Sequence, residues 1–470
     1  MTRLIVISNR VNVPTAEDKS AAGGLSMALT AALREYQGIW FGWSGQLAET
    51  FTGQIAMRRI NGVTSATIDL EEQDYEEYYN GYANNVLWPL FHFRVDLTEY
   101  DRAFDAGYAR VNARFAETVR PLIEPDDIVW VHDYHLIPCG EELRKRGLQN
   151  AMGFFLHVPW PPRQLLSTLP KHTELVRSLF SYDLVGFQTE EWLEAFVDFI
   201  TQEVGGKREP DGRLTCFGRT ICVAAFPIGI DADEFMQMPN SREGRAAYVR
   251  IKKSLVERAL VIGVDRLDYS KGIDARFQAY EAVLDTDPDL AGRVVMVQIA
   301  PPSREDVNAY QLIREQLDSL AGHVNGKFSD FDWTPLRYVN RGYPREELAG
   351  IYRASRVAFV TPLRDGMNLV AKEFIAAQDP EDPGVLILSQ FAGAAAQLGD
   401  ALIVNPFSPD DMVDALRRAL TMPLAERKRR YESLIRCVRE QDVIWWRERF
   451  VSALQGIRKH GGAKGLRAVS

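Results

Sequence analysis

Asp265-Arg-Leu-Asp-Tyr-Ser-Lys-Gly follows directly on the apolar run Leu260–Val264. An open α/β sheet binds ligands at the C-terminal ends of its strands. Arg266 and Lys271 would emerge there together, one a planar fork and the other a point charge, a pairing suited to a diphosphate. The same spacing also fits a solvated loop with ion pairs to Asp265 and Asp268. Thr361-Pro-Leu-Arg-Asp-Gly-Met-Asn-Leu-Val-Ala-Lys-Glu has a related form. It leaves the run Val357–Val360, turns through Gly366 and enters a helix with Glu373 on its second turn. Backbone N–H groups near Asn368, Leu369 and Val370 would point at an anion, assisted by the helix dipole. Glu373 could reach sugar hydroxyls, as an acidic residue does for ribose in dinucleotide folds. A plain strand–turn–helix accounts for these residues as well.

Three further groups stand out. Ser8-Asn-Arg10 ends the first apolar run, and Gly23-Gly24 opens the first helix, where adjacent glycines would let a ligand approach the backbone. His132, Asp133, His135 and His157 could gather in space, but they lack the spacing of ligands on one helix face, so no bound metal is expected. The D-x-D spacings at Asp231, Asp285 and Asp330 read as acidic turns. The segment from Tyr78 to His92, with Tyr79 and Trp88, is unusually aromatic for a connection. Aromatic faces with amides suit a sugar, and an aromatic minicore fits equally well.

The elements that position these groups are short apolar runs without alternation, the mark of strands buried on both faces. Five fall in the first half: Leu4–Ser8, Ile128–His132, Gly153–Val158, Leu184–Gln188 and Ile221–Pro227. Five fall in the second: Leu260–Asp265, Val294–Ile299, Val357–Thr361, Val385–Ser389 and Leu402–Asn405. Amphipathic stretches such as Val111–Arg120 and Glu191–Glu203 supply crossover helices, so the fold class is α/β with two doubly wound domains. Turn formers between Pro227 and Ser241 mark the boundary. Ser408 is an N-cap with Pro409 at the first helical position. Helices then run from Pro423 towards Glu440 and from Ile444 to Leu454, before a basic, Gly-rich tail.

Composition narrows the partners. Fifty-five Lys and Arg against 64 Asp and Glu leave a net charge of −9, which argues against nucleic acid or an anionic membrane as the main partner. Four scattered cysteines give no disulfide framework. The apolar run at the N-terminus is too short for a signal peptide, and no stretch approaches the ~18 residues of a membrane helix. A cytoplasmic protein is expected.

Taken in order, these segments resemble those of the bacterial trehalose-6-phosphate synthases, a family of retaining glycosyltransferases. The shared motifs are Ser8-Asn-Arg, Trp-Phe-Gly-Trp-Ser-Gly from Trp40, Tyr-Tyr-Asn from Tyr78 and Leu-Trp-Pro from Leu87. His-Asp-Tyr-His-Leu from His132, Arg-Leu-Asp-Tyr-Ser-Lys-Gly from Arg266 and Arg-Asp-Gly-Met-Asn-Leu-Val-Ala-Lys-Glu from Arg364 complete the series. The resemblance implies a GT-B type fold, two Rossmann-like domains facing a cleft. Residues 1–235 would bind the acceptor and 236–440 the nucleotide-sugar donor; 441–470 would form a helix crossing back to the first domain, and the tail. The implied reaction moves glucose from UDP-glucose to glucose-6-phosphate, with no metal or other cofactor. Arg266 and Lys271 would hold the donor diphosphate. Asp365 and the backbone of Gly366, Met367, Asn368, Leu369 and Val370 would hold glucose and phosphates, Glu373 the ribose and Leu348 the uracil. Gly23 and Gly24 would form the loop over the donor. Arg10, Tyr79, Trp88 and Arg304 would surround the acceptor phosphate, with Asp133 and His157 around the transferred glucose. Catalytic roles would fall to Asp133, His157, Arg266, Lys271 and Asp365. Pro302 departs from the family pattern, which has Thr. A homo-oligomer, dimer or tetramer, is also implied.

Domain closure about the Pro227–Ser241 link and the last helix is expected, with Trp445 and Trp446 packed on the first domain. Relatives with another donor or acceptor, cyclitol-coupling pseudo-transferases, regulatory homologues and epimerases are the alternatives. Intact Asp133 and Asp365 weigh against the pseudo-transferases, intact donor residues against a regulatory homologue, and the aromatic segment against an epimerase. No phosphatase segment is expected after Ser470.

Overall fold

The computed structural model describes residues 3–11, 29, 33, 36–60, 62–304 and 307–459. The chain divides into two compact units, one of Met1–Pro227 with Trp446–Ser470 and one of Ile228–Trp445. Gly23 and Gly24, the glycines expected over the donor, lie outside the described residues.

The first unit is built on a ten-stranded sheet. In chain order the strands are β1 (Leu4–Arg10), β2 (Ile39–Ala48), β3 (Ala56–Ile60), β4 (Val63–Glu71) and β5 (Ile128–His132). They continue with β6 (Met152–Phe155), β7 (Leu184–Phe187), β8 (Lys207–Arg208), β9 (Leu214–Cys216) and β10 (Arg219–Ala225). Their order across the sheet is β3-β4-β2-β1-β5-β6-β7-β10-β9-β8. Neighbours from β4 to β10 pair parallel, with antiparallel strands only at the edges. Burial on both faces explains the unbroken apolar runs of β1 and β5. The order reverses between β1 and β5, which pair Ile5 with Val129 and Val6 with Trp130. A crevice at the C-terminal ends of such a pair is the usual ligand position.

Five strands were expected in this half, and β2, β3, β4, β8 and β9 extend that set. The aromatic segment is likewise no plain connection. It is helical, with Glu72–Asp74 leading into a wide-turn stretch Tyr75–Leu87 and then Trp88–Phe91. The Trp88 amide bonds to the Ala83 carbonyl, an i to i+5 reach. Such widened turns gather at functional sites.

The last helix, Val443–Lys459, starts in one unit and ends in the other. Within the first unit Trp446 lies 5.0 Å from Trp130 and edge-on to Phe155, and Phe450 stacks on Trp130 at 4.5 Å. Both side chains are fully buried, and deleting a ring so placed costs about 3–5 kcal/mol. Trp445 is grouped with the second unit.

The second unit carries a six-stranded sheet ordered β13-β12-β11-β14-β15-β16. Its strands are β11 (Ala259–Val264), β12 (Val294–Ile299), β13 (Leu336–Val339), β14 (Val357–Val360), β15 (Val385–Ser389) and β16 (Leu402–Val404). All pair parallel. Edge strand β13, half-buried and bearing Arg337 and Tyr338, was not expected. The order reverses between β11 and β14, the two strands that precede the Arg266 and Arg364 segments. Ser408 caps the helix Pro409–Thr421 through its hydroxyl, as the sequence suggests.

Candidate active site

At the reversal in the second unit, Arg276 organises the strand ends. Its guanidinium is fully buried and donates to Asp265 Oδ2 at 2.7 Å, Gln298 Oε1 at 2.8 Å, Thr361 Oγ1 at 3.2 Å and the Lys271 carbonyl at 3.2 Å. One side chain thus ties β11, β12, β14 and the Lys271 turn together. A charge so buried is tolerated only because its donors are satisfied. Burial still holds the Asp265 carboxyl above its usual range, against the pull of Arg276 and Lys271.

Lys271 and Asp365 meet at this point, Nζ to Oδ2, at 2.5 Å. Asn368 Nδ2 donates to the same oxygen at 3.2 Å. Asn368 is left-handed, with φ of 78°, and its Oδ1 caps the helix Leu369–Ala377 by accepting from Ala371 N at 3.2 Å. First-turn amides of that helix precede any acceptor of its own. The turn is pinned from β15's side: Ala394 N donates to Met367 O at 2.7 Å, and Gly393 N to Asp365 O at 3.1 Å. A Cβ on Gly393 would lie 2.0 Å from the Gly366 carbonyl oxygen. Only glycine fits.

Glu373 and Lys372 follow on the same helix. Burial pushes Glu373 up to about 7, with Arg345 pulling the other way. Lys372 is buried and donates to the Ile228 carbonyl and to Gln397 Oε1, each at 2.7 Å. Burial lowers its pKa to about 7. Leu348 sits half-buried on the helix Arg345–Ala354. Arg266 is exposed.

Arg304 lies in the second unit, unlike Arg10, Tyr79 and Trp88. It has φ of 51°, donates to the Tyr310 hydroxyl and stands 3.6 Å from Asp268 Oδ2. Tyr310 donates in turn to Asp268 at 3.0 Å.

In the first unit Arg10 ends β1, its guanidinium 5.7 Å from the Trp43 ring centre. Gly45, at φ of 91°, packs against that guanidinium, and a Cβ there would lie 2.4 Å from Nη2. Trp43 meets Tyr79 at 5.6 Å, and Tyr79 stacks on His135 at 6.1 Å. Tyr79 is half-buried. Trp88 is buried beside His92 and Tyr134, and Tyr78 and Tyr82 are buried too. Most of the aromatic segment is therefore core, with Tyr79 at its margin. Substituting Gly45 by Ala should displace the Arg10 guanidinium from its place beside the Trp43 ring.

Asp133 follows β5 with φ of 73° and ψ of 165°. That region is nearly reserved for glycine, and its occupation by other residues concentrates at functional sites. The backbone is held by Asp133 N donating to Phe155 O at 2.8 Å, and its Oδ1 accepts from His157 N at 3.2 Å. Among the described residues no group of three or more His, Cys, Asp or Glu could hold a metal.

Two open, largely parallel sheets, each with a polar cluster where its strand order reverses, are two Rossmann-like units, the build of a GT-B type fold. The sequence profile of glycosyltransferase family 20 matches residues 2–456, and the chain belongs to that family. It is 47% identical over 457 residues to a trehalose-6-phosphate synthase of Cronobacter sakazakii, covering 97% of this chain and 96% of that one. It is similar to the crystal structure of a UDP-forming α,α-trehalose-phosphate synthase from Burkholderia vietnamiensis, with a TM-score of 0.96, 48% identity and 99% of both chains covered. A Burkholderia xenovorans enzyme of the same description, in complex with glucose-6-phosphate, matches at TM-score 0.93 and 48% identity over 96% of this chain and all of that one.

Proposed function

We propose that the protein transfers the glucosyl group of UDP-glucose to glucose-6-phosphate with retention, giving α,α-trehalose 6-phosphate and UDP. The observation that carries the reading is the Lys271–Asp365–Asn368 cluster beside the amides of Leu369 and Val370. Breaking the anomeric C–O bond places negative charge on the departing diphosphate, and fixed positive groups at that point lower the barrier. Lys271 and Arg266 supply the charge, the helix N-terminus adds its dipole, and Asp365 orients Lys271. The second unit is the donor site, with Glu373 on the ribose and Leu348 beside the base. The first unit is the acceptor site, where Arg10 and Tyr79 receive the sugar phosphate.

Retention follows from attack on the face that the leaving group vacates. The acceptor hydroxyl forms the new C–O bond as the old one breaks, and its proton passes to the departing phosphate oxygen. Asp133 positions the acceptor hydroxyl in this scheme and does not abstract its proton. A homo-oligomer in the cytoplasm completes the reading; among the described residues no helix is long and apolar enough to cross a membrane.

No cation is needed to neutralise the diphosphate. Release of UDP from UDP-glucose and glucose-6-phosphate should proceed in excess EDTA, and faster than the corresponding release from ADP- or GDP-glucose. Turnover that vanishes on chelation and returns with one divalent ion would remove the metal-free mechanism.

Donor affinity should follow the state of Glu373. Its raised pKa of about 7 means it is neutral in mild acid and ionised in mild base. A carboxylate accepts hydrogen bonds from ribose hydroxyls more strongly than a carboxylic acid does. KM for UDP-glucose is therefore expected to fall as pH rises through neutrality, and Glu373→Gln should flatten that dependence. An equally steep profile in the variant would assign the titration elsewhere.

A further inference from the structure

Behind Asp133 lies a row of three hydrogen-bonding side chains, of which only His157 figures in the expected site. Gln188 Nε2 faces His157 Nδ1 at 3.3 Å, and His157 Nε2 faces His132 Nδ1 at 3.0 Å. The two imidazoles stack at 5.3 Å. His132 is fully buried among Trp130, Phe155 and Trp446, and Trp446 also covers His157. His132 Nε2 has no hydrogen-bond partner among the described residues.

Donor and acceptor roles in this row are interdependent. A neutral imidazole carries one N–H. Where the Gln188 amide donates, His157 Nδ1 must accept, so its hydrogen sits on Nε2 and is given to His132 Nδ1. His132 then carries its own hydrogen on Nε2, the nitrogen without a hydrogen-bond partner among the described residues. Burial holds both rings neutral, keeping His157 down at about 3 and His132 well below its ordinary value. Asp133, whose Oδ1 accepts from the His157 backbone amide at 3.2 Å, adjoins the pair.

We propose that His132 is a positioning residue for the donor sugar: by accepting from His157 Nε2 it fixes the ring and leaves Nδ1 as an acceptor for a glucose hydroxyl, with Gln188 holding that nitrogen when no sugar is bound. This rests on the reading that Asp133 and His157 surround the transferred glucose. It gives His132 and Gln188 a function no motif assigns them. A hydroxyl meeting an acceptor already aligned loses less entropy on binding than one meeting a free rotor. The ring also gains selectivity, since an acceptor nitrogen recognises a hydroxyl and is left unpaired by a deoxy sugar.

His132→Phe keeps an aromatic ring in the same apolar surround and removes the acceptor; His132→Asn restores an acceptor oxygen on a shorter arm. Nitrogen-15 NMR of the histidine side chains should show His157 bare at Nδ1 and protonated at Nε2 in the wild type. His132→Phe should lose that single tautomer. The same variant should lower kcat/KM for UDP-glucose by about tenfold or more, the cost of a lost hydrogen bond and a misdirected ring. With UDP-glucose analogues lacking one hydroxyl each, the loss should shrink towards unity for one analogue only. His132→Asn should recover part of the rate. Thermal melting of each variant separates a general loss of fold, which would slow every donor alike. A wild-type tautomer and rate in His132→Phe, or an equal loss with every analogue, would overturn the proposal. Wild-type protein inactive towards UDP-glucose would instead overturn the underlying reaction.

Discussion

Replacing Lys271 by Ala should lower kcat by ~10²–10³, the effect of removing one preorganised group that meets charge developing in a transition state. Two losses combine. On the proposed reading the departing diphosphate loses a compact cation, and Asp365 loses its ion pair with Lys271 at 2.5 Å. Both groups are largely buried, with side-chain exposures of 10% and 16%, so on the proposed reading the carboxylate, still held by Asn368, would face the donor phosphates without the Lys271 charge. Like charges at such a site repel, and the donor KM should rise as well. Lys271→Met would test charge at nearly constant shape, and adding Asp365→Asn should recover part of the loss by removing the orphaned charge. Steady-state kinetics on the single and double variants decide the matter. Wild-type kcat in Lys271→Met would rule out this cluster as the diphosphate site.

Asp133 should show stability and activity moving apart. Its φ of 73° stores strain worth about 1–3 kcal/mol for a residue with a Cβ. Asp133→Gly relieves that strain, whereas Asp133→Ala keeps it, so the Gly variant should be more stable than the Ala variant by ~1–3 kcal/mol. Both lose the carboxylate to which the proposed mechanism gives the alignment of the acceptor hydroxyl, and misalignment of a reacting group costs about 10²-fold in rate. Chemical denaturation and initial rates on the same preparations would show it. Equal stabilities would mean that the backbone is unstrained at Asp133, and undiminished rates would take the residue out of the site.

What could be read from the residues followed from burial. Strands such as β5 and β12, buried on both faces, are unbroken apolar runs, and the segments leaving β11 and β14 announce themselves by cations, a glycine and an acid. Strand β4 was hidden because Thr64, Ser65, Thr67 and Asp69 interrupt its apolar positions, as an antiparallel neighbour at the sheet edge permits. The aromatic segment concealed its helix because widened turns over Tyr75–Leu87 shift the apolar residues off a 3.6-residue period. Arg276 carried no motif signal, and Lys372, though inside the segment from Arg364, gave no sign of what it holds, since the partners of the two lie 5 to 144 residues away. Positive-φ backbone at Asp133, Arg304 and Asn368 was equally silent, although Asn tolerates the left-handed region better than most residues.

The reaction itself is tested most directly by following it in a proton NMR spectrum. Protein, UDP-glucose and glucose-6-phosphate are mixed in EDTA, and the anomeric signals of the disaccharide are recorded as UDP accumulates. Two small, α-type anomeric couplings in a non-reducing disaccharide monophosphate, formed one for one with UDP, are the expected result. A β-coupled product, a reducing disaccharide, or free glucose in place of any disaccharide would contradict the account.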